Sequence, residues 1–149
     1  MTQDPDPHEA LASINAARAE IGRDLDYPVG WDMIYGLVMA LLVGGQGLPT
    51  IWASLTFAFG MLGVVLMMQW WRKHYGWWVS GYSPKKARWV AVGMVAVMLP
   101  LMGLSLWTRL GDGVWWLPLL AAGLAWIVAV IGGRMWMRVY RKELADGVR

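Results

Sequence analysis

The chain has 149 residues, of which 58% are hydrophobic and 15% charged, against roughly 25% charged in a typical soluble domain. Thirteen Lys and Arg against ten Asp and Glu leave a formal net charge of +3, and these charges are segregated along the chain. There is no cysteine, which excludes disulfides, thiol chemistry and Fe–S clusters.

Residues 1–28 form an acidic arm. Asp6-Pro7-His8-Glu9 reads as a helix start, with Asp as N-cap, Pro in the first turn and Glu three residues on. The helix is expected to run to about Leu25. Leu11, Ile14, Ile21 and Leu25 recur at spacings of 3, 7 and 4, with Arg18 interrupting the stripe. That makes an amphipathic cytoplasmic helix too short for a coiled coil. It can rest on the membrane surface or on the protein's own cytoplasmic face; the alternative is a helix for a partner or for self-association. Asp4, Asp6, Glu9, Glu20, Asp24, Asp26 and Asp32 outnumber Arg18 and Arg23. Surface helices that seek anionic lipid are usually basic. The arm is therefore expected to fold over the basic cytoplasmic side of its own chain or of an adjacent subunit. It lacks an apolar stretch of the kind a signal peptide carries, so the first span is expected to direct insertion.

Three segments are free of Asp, Glu, Lys and Arg: 39 residues from Met33 to Trp71, 20 from Trp89 to Thr108, and 21 from Gly113 to Gly133. A crossing takes about 20 residues. The first segment, as one helix, would be roughly 58 Å long against a hydrocarbon core of about 30 Å. It contains a break, Gly44-Gly45-Gln46-Gly47-Leu48-Pro49-Thr50, where Gly is permissive and Pro49 suits the first turn of a new helix. The expected fold is an all-α membrane protein. Four transmembrane helices, at about 29–47, 50–70, 89–108 and 114–135, form two hairpins within a domain of 29–136. A basic aromatic loop, 71–88, joins the hairpins, and a basic tail, 137–149, follows.

Charge sets the orientation. With four crossings, the arm, the middle loop and the segment from Arg134 share one side and hold 12 of the 13 basic residues. Basic residues stay cytoplasmic, so both termini are expected inside a bacterial cytoplasmic membrane. Eleven of the twelve Trp lie near a predicted span end or in the basic loop; only Trp126 is mid-span. This is an aromatic belt at headgroup level, although a Trp cluster can also bind a ring-shaped ligand.

The middle loop is the most distinctive stretch. Ser83-Pro84 reads as N-cap and first residue of the third helix. Arg72, Lys73, Tyr75, Trp77, Trp78, Lys85, Lys86, Arg88 and Trp89 alternate rings with cations, which suits contact with lipid headgroups or a partner. The simpler use is topology-setting charge. The pattern Tyr75-Gly76-x-Trp78-Val79-Ser80-Gly81-Tyr82-x-Pro84, followed by Arg88-Trp89, resembles the middle loop of small four-span bacterial integral membrane proteins of uncharacterised role. The resemblance covers most of the chain and implies no activity.

Gly36, Ala40 and Gly44 recur every fourth residue in the first span, as do Ala121, Ala125, Ala129 and Gly133 in the fourth. Small residues at this spacing let helix backbones approach closely; they serve internal packing or a contact between copies. Met94, Met98 and Met102 share a face of the third span, with Pro100 between them. Without Cys or in-span His, adaptable packing is favoured over Cu(I) binding.

The expected spans contain no Glu or Lys, and His8 and His74 lie outside them. Ion-coupled transport usually uses an ionisable group inside the bundle, and membrane haem needs axial ligands. No metal, cofactor or catalytic residue is expected, nor binding of nucleic acid. The leading reading is a non-catalytic membrane protein: an accessory subunit, scaffold or self-associating module. Its expected partners are the lipid bilayer, including anionic lipids, and a membrane protein or further copies of itself. A small channel or carrier lined by Gln46, Gln69, Ser54, Thr56 and Ser105 ranks second, and a lipid-directed enzyme third.

Overall fold

The computed structural model describes residues 9–13, 29–75, 86–111 and 113–146. Among them the only regular structure is helical. Residues 9–13 are helical within the arm; Ile14, Ile21 and Leu25 of the predicted apolar stripe lie outside the described residues. Four longer helices follow. They are α1 (Val29–Gly44), α2 (Thr50–Tyr75), α3 (Ala87–Leu110) and α4 (Leu117–Asp146).

Three of these, α2, α3 and α4, are long and apolar enough to cross a membrane. At 1.5 Å per residue, the 26 residues of α2 reach about 39 Å and the 30 of α4 about 45 Å. Both outrun a hydrocarbon core of about 30 Å, so their charged ends project beyond it. The first helix is shorter, at 16 residues, and continues as a 3-10 turn, Gly45–Gly47.

The predicted break falls at this turn. Leu48 N–H donates to Gly45 O, and Ala53 N–H donates to Pro49 O at 2.9 Å. Pro49 thus supplies the first intrahelical acceptor from the position before Thr50, one residue earlier than the expected first-turn place. A ring with no N–H is harmless at either position. Gly45 is required here for space: a Cβ on it would collide with the side chain of Thr56, where α2 turns back against α1. The third helix opens at Ala87 after Lys86, and Ser83 and Pro84 lie outside the described residues.

The hairpins are antiparallel and stand side by side. The first and last helices, α1 and α4, form the principal pair; α2 flanks α1 and α3 flanks α4, touching α1 as well. Among the described residues α2 packs on α1 and the 3-10 turn and on no other helix. The core is therefore thin and made of small side chains: Val43, Ala121 and Ala125 form its centre, with Met98 and Leu101 packed against them. Backbones come close enough there for dispersion contacts to hold the helices together, which is the main attraction available in lipid.

Candidate functional site

The helix directions bring the start of α1, the end of α2, the start of α3 and the end of α4 to one rim. Nearly all described ionisable groups collect there. Arg134 Nε donates to Asp32 Oδ2 at 2.6 Å, with the Arg134 side chain 45% exposed and that of Asp32 only 10%. This bond joins the first and fourth helices at the edge of the expected spans, where neither charge has to enter hydrocarbon.

Aromatic rings line the junction of α1 and α2. Trp31 stacks on Trp70 at 4.4 Å and tilts against Trp71 at 5.8 Å, and Trp70 stacks on His74 at 4.1 Å. Trp136 and Tyr140, one turn apart on α4, stack at 5.1 Å. Offset stacking of this kind adds about 0.5–1.5 kcal/mol per pair beyond the area it buries.

A carboxylate from α4 closes the start of α3. Glu143 Oε2 accepts from Lys86 N–H at 3.0 Å and from Ala87 N–H at 3.4 Å. Lys86 itself provides no side-chain cap. The carboxylate satisfies otherwise orphaned donors and meets the positive end of the helix dipole. The middle loop is thereby fastened to the tail.

Of the ring-and-cation residues singled out in the sequence, Arg72, Lys73, Lys86, Arg88 and Trp89 are exposed at this rim. The Arg88 guanidinium lies 5.7 Å from the Trp89 ring centroid, within cation–π range. Trp77, Trp78 and Lys85, and the side chain of Tyr75, lie outside what is described. In the arm, Leu11 is 58% exposed.

The first small-residue stripe faces α4, but on Pro118, Ala122, Trp126 and Val130 and not on the second stripe. A Cβ on Gly36 would sit 2.7 Å from Trp126 Cδ1 and 2.9 Å from Val130 Cγ2; one on Gly44 would sit 2.6 Å from Ala122 Cβ and 3.0 Å from the Pro118 carbonyl. Ala40 is half-buried between them. On α4, Ala121, Ala125 and Ala129 are fully buried, the first two packed with Val43, Met98 and Leu101, and Gly133 faces the ring of Tyr35. The same logic seats Met94 of α3 against Gly132 of α4. Met98 faces the small-residue core, whereas Met102 is exposed.

The polar residues considered for a channel do not converge. Gln46 Nε2 donates to Leu42 O at 3.2 Å, Ser54 Oγ to Thr50 O at 2.9 Å, and Thr56 Oγ1 to Ala53 O at 3.0 Å. All three serve their own backbone. Ser105, fully buried, reaches across to Gly44 O at 3.1 Å. Gln69 is exposed on α2. Among the described residues no group of three or more His, Asp and Glu is arranged to hold a metal ion.

Comparison with known proteins returns no match. No family model, no curated protein and no solved structure aligns with the chain.

No local pattern in the sequence gives Trp126, Glu143 or Ser105 a packing role. Trp126 stood out only as the one mid-span Trp. Its role depends on a glycine 90 residues earlier, and no local pattern announces such a pairing.

Proposed function

We propose that the chain is a non-catalytic four-span protein of a bacterial cytoplasmic membrane. It acts as an accessory, scaffold or self-associating module that meets a membrane partner, or further copies, through the flanking helices. The observation that carries this reading is the uneven packing. Among the described residues α2 rests only on α1 and the 3-10 turn that follows it, and its remaining faces are apolar and open, as in Ile51 at 75% and Phe59 at 64% exposure. Such faces suit lipid and laterally docked helices equally.

The fourth crossing is supported by how α1 lies against α4. Their contacts run from Asp32–Arg134 at the rim to Gly44–Ala122 and Gly47–Pro118 at the other end. Thus α1 with its 3-10 turn accompanies α4 over most of a span's depth. Cytoplasmic termini are supported by the sequence, in which the arm, the middle loop and the segment from Arg134 hold 12 of the 13 basic residues. A channel or carrier is disfavoured because the hydroxyl and amide donors bond to helix carbonyls on scattered faces. An enzyme is disfavoured because the rim carboxylates Asp32 and Glu143 already hold structural bonds.

Gentle extraction into native-like lipid discs, followed by intact-complex mass measurement, tests the proposal. A defined oligomer or a retained membrane partner is the expected result. A bare monomer would remove its support, and ion flux from the pure protein in liposomes would favour the channel.

A further inference from the structure

We infer that the outward side of α4 is a binding site for one anionic phospholipid, its phosphate held between Arg134 and Arg138 and an acyl chain lying along the apolar residues below them. Leu124, Ile127, Ile131, Arg134, Arg138 and Lys142 follow one another at spacings of 3, 4, 3, 4 and 4, so they share one stripe of the helix. All six are exposed. The other side of α4 is spent on packing, with Ala121, Ala125 and Ala129 fully buried and Gly132 against Met94. The helix runs unbroken from Leu117 to Asp146, so the apolar row leads directly into the cations.

Depth fits a lipid. From Leu117 to Arg134 the helix rises about 26 Å, close to the roughly 30 Å of a hydrocarbon core. Arg134 therefore stands at the edge of that core. Arg138 is about 6 Å further out, within a headgroup layer roughly 5–7 Å deep. Lys142, about 12 Å out, lies beyond the phosphates.

Charge fits as well. The Arg134 side chain bonds Asp32 through Nε and is still 45% exposed. Arg138 and Lys142 have no ion-pair partner among the described residues. Glu143, the one carboxylate among the described side chains of α4, is turned to the start of α3. Guanidinium groups match phosphate oxygens through paired N–H donors. A free phosphate would use the cations alone, and a soluble acidic protein would leave the apolar row idle. A phospholipid matches both halves of the stripe.

The inference rests on α4 crossing the bilayer, which its length and apolar composition support, and it needs no partner helix. A lipid-bearing monomer would remove the module proposed above and leave this site standing. The full chain in mild detergent, titrated with phosphatidylglycerol or phosphatidylcholine and followed by intact-complex mass measurement, tests it. Phosphatidylglycerol should be retained about tenfold more strongly, and Arg138→Gln should lower that preference about fivefold, the effect of one cation at an anionic headgroup. Arg138→Lys should keep most of the preference. Arg72→Gln with Lys73→Gln, which removes more charge from the same rim at the end of α2, should leave it unchanged. Phosphatidylglycerol carrying a photoreactive group in its acyl chain should label the α4 peptide that holds Ile127 and Ile131. An equal loss in the α2 variant, no loss in Arg138→Gln, labelling spread evenly over the helices, or displacement of the lipid by inorganic phosphate or a soluble acidic peptide would each overturn the inference.

Discussion

Arg134 and Asp32, 102 residues apart, meet through one 2.6 Å bond that fastens the last long helix to the first. Asp32 is 7% exposed, so its buried carboxylate gains from the opposite charge of that guanidinium. Arg134→Met should therefore cost about 2 kcal/mol, because it removes a charge-assisted hydrogen bond to a buried carboxylate. Asp32→Asn with Arg134→Met should cost less than Arg134→Met alone. Reversible unfolding in mild detergent measures both. If the single variant matches wild type, the pair contributes nothing.

The α1–α4 contact should be intolerant of a single methyl group. Gly44→Ala would press its Cβ against Ala122 Cβ and toward the Pro118 carbonyl, a backbone atom that cannot swing away. A loss of about 1–3 kcal/mol follows from overpacking. Gly93→Ala, on α3 with nothing within 4 Å, should be neutral or slightly stabilising, since Ala is the better helix former by about 1 kcal/mol. Equal effects at the two sites would contradict the packing described.

Glu143→Ala should loosen the start of α3 without unfolding the bundle. Hydrogen exchange at the Lys86 and Ala87 amides should accelerate, with about 1 kcal/mol lost in global stability, as for a missing helix cap. Glu143→Gln keeps an acceptor oxygen and should sit between the two. Unchanged exchange in Glu143→Ala would show that the cap is replaced by water.

Ser105→Ala removes the only hydroxyl donor seen to bond from α3 to α1 among the described residues. The expected cost is roughly 0.6 kcal/mol, the size of a typical interhelical hydrogen bond in a membrane protein. Ser54→Ala, which loses only a bond within its own helix, should cost less. Parallel unfolding curves for the two variants decide this.

Amino-acid order alone located the helices well. Long charge-free segments, a Gly-Pro break at 44–50 and basic residues at the segment ends are local features, and transfer into lipid acts on them locally. For α2, α3 and α4 the span limits read from charge agree with the helices to within a few residues, apart from extensions past the expected ends of α2 and α4. The four-residue spacing of small side chains marks faces on which a backbone can approach, without naming what approaches it.

Only the tertiary structure decided which face meets which. A four-residue repeat says that a backbone can come close, and it is silent on the backbone opposite. It took the folded hairpins to set Gly36 beneath Trp126, to bond Asp32 to Arg134, and to bring Glu143 to the start of α3. It also took them to leave α2 leaning, among the described residues, on α1 and its 3-10 turn alone. These contacts join residues 57 to 102 positions apart in the chain, and helical periodicity repeats every 3.6 residues. Composition and charge order thus determined which helices are long and apolar enough to cross a membrane and where the chain turns. Packing geometry, which depends on the fit of distant surfaces, decided what holds the rim together and which helix faces remain open.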